Sequence, residues 1–289
     1  MKPNLFIIGA SKCGTTSLWH MLNLHPDIFM SEPKEPWFFS FSDYEKRLDW
    51  YHNLFKNVKN EKIIGEASPI YSETTLIPEL PERIFRFNPD AKIIYIVREP
   101  IDRLKSAWRQ TLYSGHWYKE AYKNYTDVKV NPMSKKFKKA VFSYPAFLEA
   151  TKYHTHLNNY RKYFSDDKIL LLFFEDLKTD PKGLYKIICS FLQVPYVFKE
   201  QIFEKKNSSN QKKMVRKWVL QLKKYKEIQS IYSWIKEKTG FKANIGTKSI
   251  KYEIRVSKKI EKKIYDYLQS EIEGILSYGN KTVNFWKHK

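Results

Sequence analysis

The stretch that decides the fold is Leu5-Phe6-Ile7-Ile8-Gly9-Ala10-Ser11-Lys12-Cys13-Gly14-Thr15-Thr16-Ser17-Leu18. Leu5 to Ile8 read as a short buried strand ended by Gly9, and Thr15 to Leu24 as a helix stopped near His25-Pro26. A strand, a glycine turn and a helix start together make an anion cradle. Backbone N–H groups converge there, and the helix dipole favours negative charge. Lys12 adds a mobile cation, and Thr15, Thr16 and Ser17 add hydroxyl donors. The plainer reading is a strand-to-helix turn with hydroxyl caps. The coincidence of Gly9, Lys12, Gly14 and three hydroxyls at one strand end favours the cradle. Gly9 and Gly14 have the Walker A separation, but Thr15 follows Gly14 where that motif has its lysine.

Working outward, short apolar runs alternate with helical patterns. Lys62 to Gly65, Lys92 to Val97 (KIIYIV) and Lys168 to Phe174 read as further strands; the last two are almost continuous apolar runs, as strands buried on both faces are. Between and after them, helical spacing runs over Tyr44–Phe55, Pro78–Phe87, Ile101–Leu112, Tyr144–Phe164 and Pro181–Leu192. Residues 115 to 140 have no clean period and read as an insertion or mobile loop. Basic helices are expected at about 211–238 and 254–276, after a loop near Asn207 to Asn210. The alternation implies an α/β fold around a parallel sheet. No linker is evident, so one domain is expected: an α/β core over about 1–200 and a basic helical subdomain over about 205–289.

The 289 residues include 52 Lys+Arg and 31 Asp+Glu, a formal charge of +21, and hydrophobic residues make up 42%. That apolar share excludes a disordered chain. No run of about 18 apolar residues exists to span a membrane, and the short N-terminal apolar run leads into the glycine loop instead of a cleavage site. Cys13 and Cys189 cannot build a disulfide framework, so a reducing, cytoplasmic location is the expectation. From Lys205 onward, 22 Lys+Arg stand against 7 Asp+Glu, so most of the excess charge is C-terminal. It is nearly all lysine, and no zinc spacing or helix-turn-helix signature accompanies it. A solvated helix surface therefore fits better than a specific nucleic-acid module.

The KIIYIV strand ends in Arg98, where a Mg-nucleotide enzyme usually places a carboxylate for its metal. A cation there argues for an anionic nucleotide held without Mg²⁺. Arg98 at a strand's carboxyl end can fork onto a phosphate; a salt bridge from Arg98 to Glu99 or Asp102 is the competing reading.

Taken together, FIIGASKCGTTSL resembles the 5′-phosphosulfate loop of sulfotransferases that use 3′-phosphoadenosine 5′-phosphosulfate (PAPS). The run from Arg98 to Ser106 resembles the family's 3′-phosphate signature. Lys34-Glu35-Pro36-Trp37-Phe38-Phe39 and Gly65-Glu66-Ala67-Ser68-Pro69-Ile70-Tyr71 resemble segments of the carbohydrate, heparan-sulfate-type branch and its bacterial relatives. Phe285-Trp286 resembles the usual C-terminal Trp. The likeness covers most of the chain and is thin at 115–140 and 212–250. One departure is Gln193, which replaces the glycine of the family's F-L-G-x-P.

The resemblance implies a P-loop-like, three-layer α/β/α fold with a central parallel sheet of four to five strands and C-terminal helices. It implies in-line sulfuryl transfer from PAPS, without a metal, to a hydroxyl or amine of a saccharide or small-molecule acceptor. Lys12 would stabilise the leaving group and Glu66 would act as general base. An ion pair of Glu66 with Lys12 or Lys34, or a helix cap, is the structural alternative for Glu66; His116 is a competing base. Lys12, Cys13, Gly14, Thr15, Thr16, Ser17, Arg98, Ser106 and Lys212 would hold the donor. Lys34, Tyr71 and His116 would meet the acceptor. His154 and His156 read as structural, and Cys13 as a small filler. Two other classes stay open: a P-loop kinase, which would bind Mg-ATP, and a polyanion-binding protein, whose binding would persist in high salt.

Overall fold

In a computed structural model, residues 1–114, 136–203, 213–215, 247–249 and 256–286 are described. Among them, five strands form one parallel sheet: β1 (Leu5–Gly9), β2 (Ile28–Met30), β3 (Ile63–Ala67), β4 (Lys92–Val97) and β5 (Ile169–Phe173). The order across the sheet is β2-β3-β1-β4-β5. Flanking helices are α1 (Thr15–Asn23), α2 (Leu48–Asn53), α3 (Leu80–Phe87), α4 (Pro100–Ser114), α5 (Phe137–Ser143), α6 (Pro145–Glu149), α7 (Tyr153–Arg161), α8 (Phe174–Thr179), α9 (Pro181–Leu192) and α10 (Lys258–Tyr278). The alternation of elements predicts this parallel α/β class, and the three-layer, P-loop-like arrangement is the one the resemblance implies.

The apolar runs are buried because both faces of the sheet are covered. All five residues of β1 and β3 are buried, as are Ile93 to Val97 of β4. β1 lies in the middle, with Leu5 opposite Gly65 of β3 on one side and Lys92 of β4 on the other. The chain leaves β1 for β2 and β3 on one flank, then returns to β4 and β5 on the other. The carboxyl end of β1 is therefore the switch point, where open α/β sheets hold their ligands.

The structure differs from the sequence-based expectation in four places. β2 was not anticipated: Ile28-Phe29-Met30 is too short to carry a period, and it is a strand because it pairs with Ile63–Gly65. The expected long helix over Tyr144–Phe164 is two helices broken at Ala150–Lys152. The break leaves the Phe147 carbonyl to accept from the Arg103 Nη1–H at 2.8 Å, and Thr151 Oγ1 accepts from the same atom at 3.1 Å. Within the expected basic helix at 211–238, residues 213–215 form a strand, β6 (Lys213–Val215), antiparallel to β7 (Thr247–Ser249); the rest of that span lies outside the described residues. Within 115–140, Phe137 begins α5.

The C-terminus closes over the sheet edge. Trp286 packs on Phe173 and Tyr153, and its Nε1–H donates to Glu175 at 3.1 Å. No helix among the described residues is long and apolar enough to cross a membrane.

Candidate active site

The cradle is built at the end of β1. Gly9 has φ 151°, and a Cβ there would lie 2.3 Å from Ser72 Oγ, so only glycine lets the loop press against the turn after β3. Gly14 caps α1 with φ 101°, and a Cβ there would meet the Phe174 ring at 2.9 Å. Lys12 also sits in the left-handed region, φ 73°. Left-handed residues in a tight loop can turn backbone N–H groups toward one side, as in an anion nest. At the start of α1, helix geometry leaves the N–H groups of Thr15 and Thr16 without intrahelical acceptors. Thr16 is exposed, Ser17 half-buried and Thr15 buried. Lys12 Nζ reaches Gln110 Oε1 on α4 at 3.4 Å.

Cys13 takes the filler role. Its thiol is fully buried, 3.7 Å from the Tyr153 hydroxyl, and burial pushes it up to about 11, against the opposing Arg103 charge. The Cys13 N–H donates to the Ala10 carbonyl at 3.2 Å, so that donor closes the loop on itself.

Arg98 stands at the end of β4. Its Nη1–H donates to the Lys12 carbonyl at 3.5 Å, which joins the two motifs. Its guanidinium lies 4.5 Å over the Phe174 ring, the ring that also bounds Gly14. Asp102 pairs with it at 3.4 Å, on side chains 20% and 40% exposed. Such a long, solvated pair contributes little, so an arriving phosphate can replace it. Glu99 does not bind Arg98; its carboxylate accepts from the N–H groups of Ile101 and Asp102 and from the Tyr265 hydroxyl, capping α4. Ser106 lies farther along α4 and is buried.

The end of β3 is arranged differently. Glu66 is fully buried and accepts from Tyr51 at 2.5 Å, Ser68 at 2.6 Å and Tyr71 at 3.0 Å. Burial pushes its carboxyl up to about 7, while those three hydroxyls oppose the rise. Two of them relay outward: Ser68 Oγ accepts from the Trp37 N–H and the Tyr71 hydroxyl from the Phe39 N–H. Glu66 thus fastens the segment after β2 to the end of β3. Neither an ion pair with Lys12 or Lys34 nor a helix cap describes it. Tyr71 is fully buried with its hydroxyl committed in this relay, which corrects the expectation that it touches an acceptor.

The fastened segment presents Lys34 and Glu35. The Lys34 carbonyl accepts from the Ala67 N–H, and Lys34 Nζ lies 2.6 Å from Glu35 Oε1, a side chain 38% exposed. Within Lys34-Glu35-Pro36-Trp37-Phe38-Phe39, Glu35 is an exposed carboxylate that the sequence reading gave no role. His156 is structural as expected: burial lowers it to about 4, and its ring lies between Thr74 Oγ1 and the Glu149 carbonyl. His116 and Lys212 lie outside the described residues. No group of three or more metal-ligating side chains occurs among the described residues.

A family model described as "sulfotransferase domain" matches residues 2–274. The chain belongs to the sulfotransferase family. Heparan sulfate glucosamine 3-O-sulfotransferase 5 of Mus musculus is 30% identical to it over 197 residues, 67% of this chain and 54% of that protein. The membrane-associated sulfotransferase kil1 of Dictyostelium discoideum is 36% identical over 120 residues, 40% of this chain and 24% of that protein. This sulfotransferase-family chain thus spans about half the length of the first of these relatives. Its fold is similar to that of a sulfotransferase from Alicyclobacillus acidocaldarius, with TM-score 0.64 and 19% identity over 100% of both chains.

Proposed function

We propose that the chain transfers the sulfuryl group of PAPS to a hydroxyl of a saccharide acceptor. The observation that carries this is the junction of the two anion-binding motifs, Arg98 Nη1 to the Lys12 carbonyl. It brings a guanidinium, a lysine and a helix N-terminus to one strand edge, as a nucleotide with anionic groups at both 3′ and 5′ positions requires. The chemistry is positional and electrostatic: the N–H groups of the loop hold the 5′-phosphosulfate, Arg98 and Ser106 the 3′-phosphate, and Lys12 offsets the charge that develops on the leaving oxygen. The names of the curated relatives support the saccharide.

The acceptor proton needs a base that touches the acceptor. Glu66 has a carboxyl raised into the useful range, which supports the base role assigned from the motif. A second reading rests on exposure: Glu66 is enclosed by three hydroxyls, whereas Glu35 reaches open space beside Lys34. We favour Glu35 as the base, with Glu66 holding the segment that carries it.

The test is transfer from PAPS to glucosamine-containing oligosaccharides, with calorimetry of adenosine 3′,5′-bisphosphate. Glu35→Gln should lower kcat by about a hundredfold or more and leave bisphosphate affinity unchanged. Glu66→Gln should lower Tm as the hydroxyl cage loses its acceptor. A large kcat loss confined to Glu66→Gln, at unchanged Tm, returns the base role to Glu66. Binding of Mg-ATP without affinity for the bisphosphate would sink the sulfotransferase reading.

A further inference from the structure

Arg103 heads the fully buried side chains by size among the described residues, yet nothing in the donor or acceptor chemistry above uses it. It lies between Arg98 and Ser106 in sequence, on the face of α4 turned beneath the loop. Its Nε–H donates to the Ser11 carbonyl at 3.2 Å, and Cys13 Sγ approaches the same oxygen at 3.8 Å. On its other side, Nη1–H donates to the Phe147 carbonyl at 2.8 Å and to Thr151 Oγ1 at 3.1 Å. Thr151 Oγ1–H in turn donates to the Phe147 carbonyl at 2.9 Å. One rigid fork thus spans from the anion loop to the break between α6 and α7.

Burying a guanidinium is costly unless its donors are satisfied, so this fork needs a reason beyond filling space. The geometry of the peptide unit supplies one. The Ser11–Lys12 peptide is trans; in a trans unit the carbonyl and the next N–H point in opposite directions. Pulling the Ser11 carbonyl inward onto Arg103 turns the Lys12 N–H outward, into the cradle. The left-handed backbone of Lys12 then carries the chain back toward Gly14 and the start of α1. We propose that Arg103 is the positioning residue of the loop: its hold on the Ser11 carbonyl sets the outward aim of the Lys12 N–H, and with it the affinity for the 5′-anionic end of the nucleotide. This deepens the donor-site reading above and rests on it.

Lysine keeps the charge but has a single nitrogen on a flexible stem, so it cannot reach Ser11 and the Phe147–Thr151 pair together. The experiment is therefore competition calorimetry on Arg103→Lys with two probes, adenosine 3′,5′-bisphosphate and adenosine 3′-monophosphate. The first uses the loop; the second lacks the 5′ group. Arg103→Lys should weaken the bisphosphate by about tenfold, the scale of one lost charge-assisted hydrogen bond, and the monophosphate by less than about threefold. Arg98→Ala, as a comparator, should weaken both.

Equal loss of both probes, or no loss of either, overturns the proposal, because general loosening does not distinguish the two ends of the nucleotide. If Arg103→Lys does not fold, Thr151→Val, which removes one of the three acceptors, should give the same selective loss at about threefold. An unchanged ratio there overturns it. Failure of the unaltered protein to bind the bisphosphate refutes the donor reading itself, a result distinct from a lost selectivity.

Discussion

The loops after β1 and after β3 leave the sheet at the same edge, from neighbouring strands, yet they treat their polar groups in opposite ways. After β1, Thr16 is exposed, and Arg98 beside the loop is still 20% exposed. At the end of β3 and just beyond it, Glu66, Ser68, Tyr71, Ser72 and Glu73 are all buried, and the hydroxyls and carboxylate among the first three bond to one another. An outward-facing polar surface binds; an inward-facing one fastens. Both loops are rich in residues that do chemistry elsewhere, so residue type alone does not separate the two roles. What separates them is whether a polar group's partner is already inside the protein.

The contrast can be broken most forcefully at Lys12. Lys12→Ala should cut sulfuryl transfer by about a hundredfold to a thousandfold with Tm nearly unchanged, because in the proposed chemistry its cation offsets the charge developing on the leaving oxygen, while its bond to Gln110 is long. Activity above about a tenth of the unaltered protein would remove Lys12 from the chemistry. Next in size, Arg98→Ala should weaken adenosine 3′,5′-bisphosphate by about tenfold to a hundredfold by calorimetry, the scale of a forked charge-assisted contact; unchanged affinity would place the 3′-phosphate elsewhere.

The fastening side predicts effects on stability rather than turnover. Burial pushes the Glu73 carboxyl up to about 8, opposed by the Arg103 charge. A carboxyl raised in the folded state stabilises fully below its unfolded value, and that contribution is lost as pH climbs from about 4.5 toward and past 8. Glu73→Gln removes the titration. Its stability relative to the unaltered protein should rise between pH 5 and pH 9 by about 1–3 kcal/mol, read from urea midpoints. A pH-independent difference would mean that the carboxyl is ionised throughout. The smallest effect is expected at the aromatic shelf under Arg98: Phe174→Leu should weaken the bisphosphate by about threefold through loss of the cation–π contact.

The donor half of the site was the more legible. Gly9 and Gly14 are needed for backbone reasons that a sequence states directly, since a Cβ at either would collide with a neighbour. Arg98 was legible because KIIYIV could be read as a buried strand and the residue after it therefore placed at the edge. Glu66 was found for the right position and assigned a role its burial does not favour: its hydroxyl partners include Tyr51, fifteen residues away on another element. Tyr71 was misplaced for the same reason. Glu35 was in view within a quoted motif, but a charged pair one residue apart reads as ordinary surface until its neighbours are known. Arg103 stood inside the Arg98–Ser106 run with no sign that it is buried, because its acceptors come from loop and helix-break carbonyls that no side-chain pattern announces.

By itself, the sequence determined the strand–loop–helix unit at the N-terminus, the parallel α/β class and the two motifs to which donor binding is here proposed. These rest on local rules: backbone conformations open to glycine, apolar runs the length of a buried strand, and a cation placed at a strand's end. Tertiary structure alone decided β2, the broken helix at Ala150–Lys152, and which carboxylate is enclosed and which is exposed. Each of these depends on partners brought together from distant parts of the chain. Burial and hydrogen-bond satisfaction are properties of that assembled neighbourhood, and they turn the same residue types into a binding edge on one strand and a fastening on the next.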